Sequence, residues 1–330
     1  MRYGVIGGGG MASVHAGHIL RMPDAQLIAC AAPEFSPAMR ALADRVHAPC
    51  SADISALLCR NDIDAVVIAT PTDTHAALTV AALQAGHHVL VEKPLARTVS
   101  EGIAMLEAAQ HAQRKLLCGQ VVRYFPEYAT AHATIVAGTI GQIGVARTSR
   151  AGAHPPAHSW YADTPRSGGV ALDLLIHDID WLLWTFGPVE RVYARSITAR
   201  ALPGRDGVLA ILRFASGVIA HAEANWSYPD GFVTSIEVAG SDGIVAHRND
   251  GIVDLVLRPQ PGSGATLAAD LTAQEDPYYA QLCAFDAWIR GGTAPRSSPQ
   301  DSLESLRITL AIVESATTGA VVRYPVEGMK

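Results

Sequence analysis

Over the first 120 residues, short apolar runs alternate with longer stretches whose apolar positions recur every three to four residues. Tyr3–Ile6, Gln26–Ala31, Ala65–Ala69, His88–Val91 and Lys115–Gly119 read as strands, and the segments between them, including Pro37–Val46, Asp53–Cys59, Thr74–Ala85 and Thr98–Arg114, as helices. Strands separated by helices of this length predict a parallel sheet covered on both faces. Ligands of such sheets sit at the carboxyl ends of the strands.

Beyond about Val121 the period changes. A helix over Glu127–Val136 leads into a strand at Val145–Ala151 and a loop rich in His, Pro and Gly. Val189–Ile197, Val208–Phe214, Val218–Trp226, Val233–Ala239, Ile244–His247 and Ile252–Leu257 follow as strands, with tight turns at Ser216-Gly217, Ser241-Asp242-Gly243 and Asn249-Asp250-Gly251. Turns this short predict an antiparallel meander. One face of Val218–Trp226 carries Val218, Ala220, Ala222, Ala224 and Trp226, and the other Ile219, His221, Glu223 and Asn225. The first suits packing on a helix; the second suits either solvent or another subunit. Pro259–Ala265 reads as a link, Pro277–Arg290 and Ser302–Thr317 as helices, and Ala320–Tyr324 as a short strand. The change of pattern divides the chain into a domain at 1–121 and another at 122–330.

Within the second half, residues 168–180 stand out, because a glycine pair opens an apolar helix that carries ionisable groups. On an α-helix Asp173, His177 and Asp180 are spaced i, i+4 and i+7 and share a face. Two carboxylates beside an imidazole make a surface for proton transfer, although the same spacing also suits a plain hydrogen-bonded patch. Burying such groups is costly unless they are paired.

Composition narrows the field. Of 330 residues 49% are hydrophobic, enough for two cores, and the net charge of −6 comes without a Lys/Arg block, so a nucleic-acid partner is not expected. Five scattered cysteines without a C-x-x-C pair argue against a disulfide framework or structural zinc. His154 and His158 flank Pro155-Pro156, which removes helical spacing, and no metal is expected. No signal segment or membrane span is apparent, and the reading is a cytoplasmic protein with no membrane partner.

The chemistry concentrates at the strand ends. Gly7, Gly9 and Ala12 meet the frame G-x-G-x-x-A between the first strand and the first helix, the arrangement that brings backbone and a helix N-terminus to a pyrophosphate. The ribose-binding Asp expected after the second strand is missing from Cys30-Ala31-Ala32-Pro33-Glu34-Phe35-Ser36. Either Glu34 reaches the ribose hydroxyls, or Ala32 and Ser36 leave room for a 2′-phosphate with Arg40 as its partner. Thr70-Pro71-Thr72-Asp73-Thr74-His75 and Glu92-Lys93-Pro94 end two further strands, and Lys93 is placed there to exchange a proton.

The order of these motifs, Gly7-Gly9-Ala12, Ala69-Thr70-Pro71, Glu92-Lys93-Pro94 and the run from Ser167 to Asp180, resembles the Gfo/Idh/MocA family, the glucose–fructose oxidoreductase and inositol dehydrogenase group. The resemblance covers nearly the whole chain and extends to Asn225-Trp226-Ser227 and Gly240-Ser241-Asp242-Gly243. It implies an α/β fold: an N-terminal Rossmann domain with a doubly wound parallel sheet, then an α/β domain with an open, mainly antiparallel sheet through which homodimers or homotetramers form. It also implies NAD or NADP, a sugar, inositol or related polyol as substrate, and a cis bond before Pro94.

By the same resemblance Lys93, Asp173 and His177 are catalytic. Gly7, Gly9, Gly10, Met11, Ala12, Ala32, Glu34, Thr70, Pro71, His75, Glu92 and Lys93 are expected around the cofactor. Arg123, Tyr124, His154, Trp160 and Tyr161, with Asp173 and His177, are expected around the substrate. A sugar or polyol dehydrogenase accounts for these groups together. The competing readings are a glycoside hydrolase that oxidises its substrate transiently with bound NAD, and a non-catalytic sugar- or cofactor-binding protein on the same scaffold.

Overall fold

The computed structural model describes residues 1–197, 207–229, 231–250, 255–259, 267–269 and 275–324. It resolves into two compact units, Met1–Val121 with Glu275–Leu303, and Val122–Gln274 with Glu304–Lys330.

The first unit alternates as its sequence period requires: β1 (Arg2–Ile6), α1 (Gly10–Arg21), β2 (Gln26–Ala31), α2 (Pro37–Val46), β3 (Cys50–Ser51), α3 (Ile54–Leu58), β4 (Ala65–Ile68), α4 (His75–Gln84), β5 (His88–Val91), α5 (Val99–Ala112) and β6 (Leu116–Cys118). The sheet is wholly parallel in the order β3-β2-β1-β4-β5-β6, so the winding direction reverses between β1 and β4. That reversal opens the ligand crevice of doubly wound sheets. Local signals hold the helix starts: Ser36 caps α2 ahead of Pro37, and Thr98 and Glu101 form a capping box on α5.

This unit also takes a segment that the sequence reading assigns to 122–330. Helix α9 (Pro277–Ile289), beyond the second unit's strands, buries Leu282 and Phe285 in the same core as Tyr3, Val5, Ala16 and Ile19. Its Asp286 accepts a 3.0 Å hydrogen bond from the Tyr3 hydroxyl, and burial, aided by that carboxylate, pushes the phenol's pKa up. The apolar stripe of α9 is legible in the sequence, but its partner lies more than 250 residues upstream.

The second unit begins with α6 (Pro126–Val136), β7 (Ile143–Gly152), the short α7 (Thr164–Ser167) and α8 (Ile176–Phe186). Strands β8 (Val189–Ile197), β9 (Gly207–Phe214), β10 (Ile219–Asn225), β11 (Phe232–Gly240), β12 (Gly243–Arg248), β13 (Leu255–Pro259) and β14 (Leu267–Ala269) follow. Helix α10 (Pro299–Thr318) and β15 (Val322–Arg323) complete the described residues. Of the expected link Pro259–Ala265, Pro259 ends β13 and residues 260–265 lie outside the described residues, as do residues 252–254 of the expected strand Ile252–Leu257.

The nine strands lie in the order β14-β13-β12-β11-β7-β10-β9-β8-β15. The sheet is open and mostly antiparallel, but the expected meander is interrupted. β7 inserts between β10 and β11, parallel to the first and antiparallel to the second. The hairpin turns near Ser216 and Ser241 behave as their sequences demand, whereas from β10 to β11 the chain steps across one strand.

Val218, Ala220, Ala222, Ala224 and Trp226 are all buried, while Ile219, His221 and Glu223 are exposed. The three alanines let α8 approach β7 and β10 closely. Its acidic residues face inward and are matched there. Asp178 binds Arg150 of β7 through two contacts, 2.7 and 3.2 Å, and Asp180 binds Arg123 through two of 2.8 Å. Both carboxylates have no exposed surface and the guanidiniums almost none. Ser305 of α10 adds a 3.1 Å hydrogen bond to Asp180, and the Trp181 indole donates to the Tyr128 carbonyl at 3.0 Å. Burial pushes the Asp178 pKa up, with the Arg150 charge opposing.

A buried pair is most costly when half of it is removed. Arg150→Met is expected to destabilise this unit by about 3–5 kcal/mol in a denaturant titration; a loss below about 1 kcal/mol, the scale of an exposed pair, contradicts this reading.

Candidate active site

The glycine loop joins β1 to α1. Gly7 has φ +137°, and a Cβ there would collide with the Ala69 carbonyl oxygen. A Cβ on Gly8 would collide with the Glu34 carbonyl, because the Glu34–Phe35 backbone crosses over it and Ser36 donates its N–H to the Gly8 carbonyl at 2.7 Å. The sequence frame leaves Gly8 unspecified, so this requirement is visible only from the neighbouring loop.

Gly9 and Gly10 behave differently. A Cβ on either meets nothing within 4 Å. Gly9 caps α1 without any side-chain hydrogen bond to the first turn, where Gly10 and the half-buried Met11 stand. Protein packing therefore gives no reason for glycine at 9 and 10, and a ligand backbone or phosphate approaching the helix N-terminus does. Ala12 is fully buried and packs close to Gly7. These residues fit the pyrophosphate of a dinucleotide.

At the end of β2, Ala32 is buried and its N–H donates to the Ser51 carbonyl at 3.0 Å. Glu34 and Arg40 are exposed, and the Arg40 guanidinium lies over the Phe35 ring. Ser36 uses its hydroxyl to cap α2.

Three of the expected cofactor residues turn out to brace the strand ends. Both ring nitrogens of buried His75 face backbone carbonyls, Pro94 at 2.8 Å and Thr70 at 3.0 Å, so His75 ties the loops after β4 and β5 together rather than offering itself to a ligand. Burial lowers its pKa. The Thr70 hydroxyl contacts that of Thr74 at 2.7 Å, and Thr74 donates to the carbonyl of Pro71. Glu92 lies beneath the loop: one carboxylate oxygen meets His15 Nε2 of α1 at 2.7 Å and the other accepts the Lys93 N–H at 3.2 Å. Burial acts to raise the Glu92 pKa, but the hydrogen bond and charge of His15, together with the charge and backbone N–H of Lys93, outweigh it and hold the carboxyl below its ordinary range. Lys93 is half-buried, and its bond to Pro94 is cis.

In the second unit the helix around Asp173 departs from expectation. Residues Ala171–Leu175 form a π-helical turn that runs into α8. A π turn holds one residue more than an α turn, so the simple i, i+4, i+7 face is lost. Asp180 is fully buried on Arg123 and belongs to no shared proton-transfer surface with His177. Asp173 is half-buried and accepts a 3.2 Å hydrogen bond from the Trp226 indole. His177 is 9% exposed.

The expected substrate residues divide. Arg123 is 2% exposed and committed to Asp180, which makes it a brace of α8 rather than a ligand for sugar, and Tyr124 is 8% exposed. His154 lies edge-on to Trp226, ring centroids 5.8 Å apart, and its Nδ1 contacts the Pro155 carbonyl at 2.7 Å. Trp160 and Tyr161 stack at 3.9 Å, both half-buried. Among the described residues no group of three or more His, Cys, Asp or Glu is placed to hold a metal, and no helix is long and apolar enough to cross a membrane.

Residues 1–120 match the profile described as "Oxidoreductase family, NAD-binding Rossmann fold", and residues 128–246 that of the GFO/IDH/MocA C-terminal domain. An inositol 2-dehydrogenase of Rhizobium meliloti is 32% identical over 326 residues, covering 96% of each chain. The chain belongs to the Gfo/Idh/MocA family. A 1,5-anhydro-D-fructose reductase of Ensifer adhaerens is 33% identical over 274 residues, covering 78% of this chain and 79% of its own. In fold, a levoglucosan dehydrogenase structure holding NADH superposes with a TM-score of 0.86 at 24% identity, covering 98% of this chain and 99% of the other.

For a Gfo/Idh/MocA oxidoreductase the two kinds of glycine in the loop make separable demands. Gly9→Ala is expected to cost at most about 1 kcal/mol of stability while weakening NAD(P)H binding, read by nicotinamide fluorescence, about tenfold or more. Gly8→Ala is expected to destabilise the unit itself. Unchanged cofactor affinity in Gly9→Ala contradicts the assigned cradle.

Proposed function

We propose that this protein transfers a hydride between NAD or NADP and a secondary alcohol or ketone of a sugar, inositol or related polyol. The observation that carries this reading is a glycine loop in which protein packing does not require glycine at 9 and 10, in a chain of the NAD-binding oxidoreductase family that also retains Lys93, Asp173 and His177. Its named relatives, an inositol 2-dehydrogenase and a 1,5-anhydro-D-fructose reductase, support the substrate class.

Oxidising a carbinol requires a hydride to leave carbon while a proton leaves oxygen. The bound nicotinamide supplies the hydride acceptor. His177, whose imidazole is largely shielded from water, takes the hydroxyl proton. Lys93 stabilises the charge that develops on that oxygen, and Asp173 orients the hydroxyl or the imidazole. The lysine and the histidine are able to exchange these roles. Retention of all three groups favours a catalyst over a binding protein on the same scaffold. Ala32 offers no carboxylate to the ribose, and exposed Glu34 and Arg40 suit opposite cofactors, so both enter the assay.

The outer face of the nine-stranded sheet shows Ile197, Leu209, Ile211 and Ile219, exposed by 63, 48, 40 and 38%. This apolar area supports assembly into a homodimer or homotetramer through the sheet. Light scattering of the wild type is expected to show an oligomer and that of Leu209→Glu/Ile211→Glu a smaller species; a wild-type monomer contradicts it.

The enzymatic reading is tested by following nicotinamide absorbance with myo-inositol, scyllo-inositol, D-xylose and D-glucose under NAD⁺ and NADP⁺, and with 1,5-anhydro-D-fructose under NADH and NADPH. Turnover is expected with at least one pair, and Lys93→Ala and His177→Ala should each lower kcat about 100-fold or more with cofactor affinity nearly intact. Unchanged kcat in either variant removes that residue from the mechanism.

A further inference from the structure

We infer that Trp226 is the positioning residue of Asp173: its indole N–H fixes the carboxylate in the plane from which Asp173 meets the substrate. The inference rests on the role given to Asp173 above.

Its ground is a set of contacts within the second unit. The buried face of β10 carries only alanines at 220, 222 and 224 before Trp226, so the indole is the first large group on the face that approaches the π turn. Trp226 is 3% exposed, and an indole buried to that extent needs an acceptor for its N–H. It finds Asp173 Oδ2 at 3.2 Å, across 53 residues of sequence. His154 holds the indole edge-on at 70° between ring planes, so the donor's own direction is limited.

The helix is distorted where this bond is made. Residues Ala171–Leu175 adopt the π turn rather than continuing the α-helical ladder of α8. Such turns are rare and occur mostly as single turns within α-helices, frequently at functional sites, so a local hold on the departure is called for. A charge-assisted bond from a rigid, buried donor on the neighbouring strand is one such hold, and Gly168 and Gly169, with φ of +86° and +70°, give the chain the entry it needs. The indole neither gains nor loses a proton at ordinary pH, so it is no proton carrier and acts only through the carboxylate.

The test is a double-mutant cycle on the fastest pair from the panel of inositols, D-xylose, D-glucose and 1,5-anhydro-D-fructose. Trp226→Phe keeps an aromatic ring and removes the donor. It is expected to lower kcat about tenfold or more, the scale of a hydrogen bond to a charged group, with NAD(P)H affinity by fluorescence unchanged. In the Asp173→Asn background the same change is expected to cost less than about twofold, because its route to the chemistry is already lost. Full multiplication of the two effects, or wild-type kcat in Trp226→Phe, overturns the inference while leaving the role of Asp173 intact. Wild-type kcat in Asp173→Asn overturns that role and the inference together.

Should Trp226→Phe fail to fold, β-(3-benzothienyl)alanine at position 226 replaces the N–H by sulfur at constant shape and carries the same cycle. The bond is also read without substrate, from the indole N–H band in ultraviolet resonance Raman difference spectra against Trp226→Phe. Asp173→Asn should shift that band, and an unmoved band contradicts the bond.

Discussion

Two buried arginine–aspartate pairs decide where helix α8 stands. Asp178 and Asp180 have no exposed surface, and neither is tolerable there without a cation held in bidentate geometry. Arg150 arrives from β7 and Arg123 from the segment ahead of α6, so the helix is fixed to two elements at once, and Ser305 ties it to a third. Apolar packing of Ile176, Ile179 and Leu182 alone would permit sliding or rotation by small amounts. The ion pairs do not, because a shift that broke one would strand a charge in the core. His177 stands one residue ahead of the first anchored position, and the π turn that carries Asp173 ends two residues before His177.

The first unit applies the same economy to its ligand edge. Its glycine loop is shaped by two collisions that glycine avoids, at Gly7 and Gly8, and is left open at Gly9 and Gly10. The helix that begins there reaches back through His15 to Glu92, whose other oxygen holds the backbone of Lys93. Helix α1 and the lysine-bearing loop are thus linked through buried Glu92, with His75 linking the latter to the loop after β4.

Period and punctuation made much of this legible from the chain alone. The parallel sheet follows from strands spaced by helices, and the buried face of β10 from strict alternation between Val218 and Trp226. What stayed hidden depends on partners distant in sequence. The pairing of β7 between β10 and β11 has no local signature, nor does the packing of α9 on Tyr3. In the sequence Asp180 reads as a third member of the face with Asp173 and His177, and its pairing with Arg123, like that of Asp178 with Arg150, is a tertiary fact. The π turn around Asp173 is the sharpest case: the residues suit an ordinary α-helix, and the departure becomes intelligible only with Trp226 beside it.

The most direct test of the account is the mass of the reduced cofactor formed when the protein oxidises sugars and inositols deuterated at their carbinol carbons. Hydride transfer predicts one deuterium, carried on C4 of the nicotinamide. A reduced cofactor bearing only protium there, or none formed from any of these substrates, would contradict the central claim.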